Sequence, residues 1–263
     1  MSEEEDIEAS RMPLMDHLVE LRRRLIWCLS GIVVLFFVCY WFAPHIYQFL
    51  VRPLADVLHE KGGERRMIFT ALHEAFFTYI KVAFFAAMFL SFPLVATQIW
   101  KFVAPGLYKN ERKAFLPFLI ATPLLFFAGG AMAYYVVFPM AWHFFLGFEM
   151  TAEEGMAIQL DAKVDQYLSL VMQLIFAFGL CFQMPVVMSL LARAGLLTSE
   201  TMRDKRRYAI VIAFIFAAVL TPPDVFSQVS LAIPTILLYE ISIWCVRLIE
   251  RGREKVAREA EAS

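Results

Sequence analysis

Six apolar runs, most of them close to membrane-spanning length, limit what this chain can fold into more than anything else in it. A helix needs about 20 apolar residues to cross the hydrocarbon core of a bilayer. Inside that core every backbone N–H and C=O must be satisfied within the protein. The runs cover residues 25–42, 75–100, 115–138, 167–191, 207–220 and 229–246, so the reading is an all-α membrane protein with six transmembrane helices. With 60% hydrophobic residues and 26 Phe, the chain lies well above the roughly 45–50% apolar share of soluble domains. The fifth run, RYAIVIAFIFAAVL, is stopped by TPPD, and the sixth contains Pro234 and Glu240. Both read as short, a pair that thins the membrane locally or shelters behind its neighbours. The chain, 1–263, reads as one polytopic domain with a disordered acidic N-terminus over 1–12 and a basic cytoplasmic tail over about 248–263.

Charge placement orients these helices. Most of the 24 Lys and Arg fall in alternate connections: Arg22, Arg23 and Arg24 before the first run, Lys109, Arg112 and Lys113 after the second, Arg203, Lys205, Arg206 and Arg207 after the fourth, and Arg247, Arg251 and Arg253 in the tail. The positive-inside rule then places both termini in the cytoplasm. In the outer loop 43–73, Ile46, Phe49, Leu50, Leu54, Val57 and Leu58 recur at helical spacing, which predicts short amphipathic helices across the outer face. The net charge of -1 argues against a nucleic-acid partner, which needs a dense basic face. The four Cys all lie in apolar runs without CxxC spacing, so neither a disulfide framework nor a zinc site is indicated.

Ionisable side chains inside a membrane are functional candidates by default. Lys81 either has such a role or snorkels its ammonium outward along its own butyl chain. Glu240 is close to the inner end of its run, where pairing with Arg247 and a functional role are both open. Gln98, Gln173, Gln183 and Gln228 suit hydrogen bonds between helices, and His143 reads as an interfacial residue. HExxH, GxSxG, GxGD and P-loop motifs are all missing, so intramembrane proteolysis and ATP hydrolysis lack their groups. The chain reads as a non-enzyme with no cofactor or metal. A proton-coupled small-solute transporter is the alternative from another class, weakened because the breaks at Pro93, Pro123, Pro185 and Pro234 do not recur in matched halves.

Three segments in order, HLVELRRRL (17–25), FPLVATQIWKFVAPGLYKNER (92–112) and LTPPDVFSQVSLAIPTILLYE (220–240), with VVFP at 136–139, make the chain similar to the TatC family. That family supplies the multispanning receptor subunit of the twin-arginine protein translocase. The resemblance implies six helices in a cupped-hand arrangement in a bacterial cytoplasmic membrane. It implies binding of Arg-Arg signal peptides and passage of folded proteins on the proton-motive force. TatA and TatB-like single-span proteins, the lipid bilayer and further copies of the chain in a receptor complex are the implied partners. It assigns Glu20, Arg22, Phe102 and Glu111 to signal binding, Thr221, Asp224 and Gln228 to docking of a partner helix, and Pro53, Pro105 and Leu107 to the shape of their loops. Two carboxylates can read two successive guanidinium forks where lysine offers only point charges. The bland alternative for Glu111 is local pairing with Arg112 or Lys113. Gln183 stands in FQMPV where many relatives carry Glu, and an amide there cannot bind or release a proton. Asp224 is placed to cap the sixth helix after Pro222 and Pro223 stop the fifth.

Overall fold

The computed structural model describes residues 14–60, 67–103, 112–149, 161–221 and 224–261. Its helices are α1 (Leu14–Trp41), α2 (Ala43–Glu60), α3 (Glu74–Leu90), α4 (Phe92–Val103), α5 (Arg112–Met132), α6 (Phe138–Leu146), α7 (Val164–Cys181), α8 (Met184–Arg193), α9 (Ser199–Asp204), α10 (Arg206–Leu220) and α11 (Val225–Glu261), with a π turn, Ala133–Val137, joining α5 to α6. His17–Trp41, Pro117–Leu146, Val164–Arg193 and Val225–Gly252 are each long and apolar enough to cross a membrane, and α3 with α4, bent by 46°, makes a fifth span when counted as one. α10, which holds the fifth apolar run, has 15 residues, about 22 Å of helix, and is short for a crossing.

Proline explains where the spans deviate from straight helices. Pro93, the second residue of α4, has no N–H to give the carbonyl of Phe89. The chain turns at Ser91 instead, whose hydroxyl donates back to Met88 O at 2.9 Å. Pro139 likewise leaves Tyr135 C=O without its helical donor. The π turn takes up that slip, with Phe138 N–H bonding Ala133 C=O five residues back, a one-turn bulge of the kind that inserts a residue without ending a helix.

Two expectations from the sequence need correction. Among its described residues the outer loop forms one 18-residue helix, α2, with Pro53 buried inside it, where several short helices were predicted. Leu50, Leu54 and Val57 turn to the core and Phe49 stays exposed. The helix survives its proline because the carbonyl that Pro53 leaves undonated, Phe49 O, accepts the Tyr134 hydroxyl at 2.6 Å, and Leu50 O accepts the Tyr167 hydroxyl at 3.0 Å. The sixth helix is not short either: α11 runs 37 residues through Pro234. Its apolar part is followed by RGREKVAREAE, rich in strong helix formers, so the helix continues past the apolar span Val225–Gly252.

Close backbone approach joins the central spans. A Cβ on Gly129 would sit 2.5 Å from Phe178 O, and one on Gly179 would sit 2.7 Å from the Phe126 ring, so α5 and α7 meet through glycine on both sides. Phe126, Phe138 and Phe178 fill the fully buried core beside them. At the outer ends, Lys81 of α3 pairs with Asp165 of α7 at 2.5 Å, so its ammonium is held by a partner on another helix. His143 Nε2 lies 3.5 Å from a Glu60 carboxylate oxygen, at the same surface. α1 is the outlier, with only 6% of its spanning window buried. It leans on α3 and α4 and leaves its other sides to lipid.

Candidate functional site

The inner rim is built where the start of α1 meets the end of α4. The ring of His17 stacks on Phe102 with centroids 4.2 Å apart and planes 17° from parallel. This contact fixes the HLVELRRRL turn against the last residues before the PGLYKNER loop. One turn further along α1, the Glu20 carboxylate is gripped by Arg24: Nε donates to Oε1 at 3.0 Å and Nη2 donates to the same oxygen. Arg24 Nη1 reaches Gln98 Oε1 on α4 at 3.4 Å. The Glu20 and Arg24 side chains are 16% and 17% exposed, so this is a sheltered pair rather than a solvated one. Among the described residues only one Glu20 oxygen is engaged, and the lone pairs of Oε2 can take another donor.

Beside this pair lies an open cleft of about 550 Å³ lined by Arg23, Arg24, Trp27, Gln98 and Lys101. Arg22 is exposed on the same turn. Glu111, Pro105 and Leu107 lie outside the described residues. The described flanks of their loop are Phe102, half-buried at the end of α4, and Arg112, where α5 begins.

A second polar feature crosses the centre of the protein. Gln183, at the junction of α7 and α8, donates from Nε2 to Thr122 O on α5 at 3.0 Å. The Thr122 hydroxyl accepts from Trp100 Nε1 at 3.2 Å and donates to Phe118 O at 2.7 Å. Three spans are thus joined by uncharged groups. Gln183 Oε1 is buried without a hydrogen-bond partner among the described residues.

The third lies on the last two helices. Glu240 pairs with Arg206 at 2.6 Å: the partner is across the α10–α11 interface, where the sequence leaves open a contact with Arg247, about two turns along the same helix. Asp224 caps α11, accepting Ser227 N–H at 2.6 Å. Thr221 is buried and its hydroxyl donates to Ala217 O at 2.8 Å, so it closes α10 rather than facing outward. Gln228 is half-buried. The structure therefore brings the first turns of α1, which carry Glu20, to the end of α4 at Phe102, sets Gln183 and Glu240 in separate places, and groups Thr221, Asp224 and Gln228 at one turn. Arg24, Thr122, Trp100 and Arg206 were missed as site residues in the sequence. Only Arg24, four residues after Glu20 and hence on its helical face, had a signal there to find.

Comparison with known proteins gives this arrangement a relationship. The family described as Sec-independent protein translocase protein (TatC) matches residues 16–234. A Sec-independent protein translocase protein TatC of Magnetococcus marinus is 51% identical over 97% of this chain and 92% of its own length. The Escherichia coli K12 protein of the same name is 42% identical over 92% of each. Among solved structures, a crystal structure of the twin arginine translocase receptor TatC superposes with a TM-score of 0.77 at 37% identity, covering 88% of this chain and 98% of that one.

Proposed function

Since the chain belongs to the TatC family, the multi-pass membrane subunit of the Sec-independent twin-arginine protein translocase, we propose that its inner rim reads paired arginines in export signals through Glu20 and Glu111. The observation that supports this is the His17–Phe102 stack, which ties the Glu20 turn to the end of the helix that leads into the Glu111 loop. Glu20 Oε2 accepts one guanidinium of the signal, and Glu111 accepts the other. Arg24 holds the Glu20 carboxylate in a fixed orientation meanwhile, which lowers the ordering cost of capture. Arg22 and Phe102 border the same surface. Pro105 and Leu107 shape the loop that carries Glu111.

Exposed Ile210, Val211, Phe214, Phe216 and Val219 on α10 form the apolar face on which a single-span TatA or TatB-like partner docks. Gln228 supplies a polar contact there, while Thr221 and Asp224 fix the turn that presents it. Pro53 sets the outer helix α2 over the spans. The setting is a bacterial cytoplasmic membrane, with several copies in the receptor complex and the proton-motive force driving cargo passage. Gln183 carries no proton in that process, because an amide does not titrate.

Site-specific crosslinking tests the reading. A photoreactive Arg-Arg signal crosslinks to the wild-type inner rim and does not crosslink to Glu111→Lys, although that variant inserts normally. Unchanged crosslinking in Glu111→Lys overturns it.

A further inference from the structure

The cleft between α1 and α4 has the wrong sign for the ligand just proposed. Three of its five lining side chains, Arg23, Arg24 and Lys101, are cations and none is an acid. Arg24 is already committed to Glu20 and Gln98, while Arg23 and Lys101 have no carboxylate partner among the described residues. Cations gathered around an open volume of about 550 Å³ are stabilised by an anion that fits between them.

The surroundings say which anion. The positive-inside rule sets this end of α1 at the cytoplasmic headgroup level. Almost nothing covers α1, and the apolar side chains below the cleft are open to lipid: Ile26 is 55% exposed, Ile99 57% and Leu94 38%. Trp27, in the cleft wall, is 65% exposed, and an indole prefers the boundary between headgroup and acyl chain. A cationic upper wall above an apolar flank, with an indole where they meet, matches an amphiphile whose head is anionic. It does not match a small soluble ion, for which the flank offers nothing.

We propose that this cleft binds the phosphate-bearing headgroup of an anionic phospholipid of the inner leaflet. The phosphate sits between Arg23 and Lys101, Arg24 and Gln98 border it, and the acyl chains lie along Ile26, Leu94 and Ile99. Zwitterionic phosphatidylcholine carries the same phosphodiester, but its choline cation adds a positive charge next to the cations already there, so it binds more weakly. A headgroup in place also offsets cations that otherwise oppose an approaching arginine pair. The inference stands on the cleft itself and does not depend on Glu111.

The test titrates the detergent-solubilised full chain with dioctanoyl phosphatidylglycerol, dioctanoyl phosphatidylcholine or inorganic phosphate. The readout is the Trp27 fluorescence obtained by subtracting a Trp27→Phe variant. Phosphatidylglycerol gives a saturable change, and phosphatidylcholine and inorganic phosphate need much higher concentrations. Arg23→Gln and Lys101→Gln each weaken phosphatidylglycerol by roughly fivefold, the value of one cation near an anionic surface. Arg23→Lys keeps the charge and retains binding, and Arg251→Gln, on the far part of α11, changes nothing. Lys101 is exposed, so its variant provides the same comparison if Arg23→Gln folds poorly. Equal affinity for inorganic phosphate overturns the lipid assignment. Equal affinity for the two lipids, or phosphatidylglycerol binding unchanged in both Gln variants, overturns the site.

Discussion

The Tyr134 hydroxyl donates at 2.6 Å to Phe49 C=O, the acceptor that Pro53 strips of its helical partner four residues on. A residue from the π turn thus stabilises a proline inside the outer amphipathic helix. Tyr134→Phe should lower stability by about 1–3 kcal/mol, the cost of a buried acceptor losing its donor. In a Pro53→Ala background the new Ala N–H supplies that acceptor, so the same change should cost clearly less. Thermal unfolding in detergent of the two single variants and the double variant measures the coupling, and purely additive losses would rule the relationship out.

At the α5–α7 crossing there is no room for a methyl group. A Cβ on Gly129 meets backbone at 2.5 Å, whereas one on Gly252 meets nothing within 4 Å. Gly129→Ala should therefore cost about 1–3 kcal/mol through forced separation of the helices. Gly252→Ala should be neutral or slightly stabilising. Comparable melting temperatures for the two variants would contradict the packing described.

Arg206 and Glu240 are half exposed, and an exposed pair contributes roughly 0–1 kcal/mol. Glu240→Gln should accordingly lower the melting temperature only slightly, and the exchange Arg206→Glu with Glu240→Arg should recover most of that loss. If Glu240 serves only as this pair, transport tolerates the exchanged variant. A transport-dead exchange with normal stability would show that the carboxylate is needed at its own position.

The helices were readable because the bilayer demands long apolar segments, and the run at 25–42 lies in α1 but for its last residue. What escaped the sequence is set by contacts between distant segments. Apolar length does not report that Pro93 bends a span by 46°, nor that α11 continues as helix through its charged end. For the site, the family resemblance carried by HLVELRRRL picked out Glu20. The partners of Gln183 and Glu240, however, lie 61 and 34 residues away, where no periodicity points. Thr122 is an ordinary threonine in an apolar run until α7 packs beside it.

The claim that matters most is that two carboxylates at the inner rim discriminate arginine from lysine. Its direct measurement is the affinity of the purified chain for an Arg-Arg signal peptide and its Lys-Lys counterpart, in wild type, Glu20→Gln, Glu111→Gln and the double variant. Wild type should favour Arg-Arg, each single variant should lose about tenfold, equivalent to about 1.4 kcal/mol, and the double variant should bind the two peptides alike. Equal wild-type affinity for both peptides, or single variants that keep the full preference for Arg-Arg, would contradict the account.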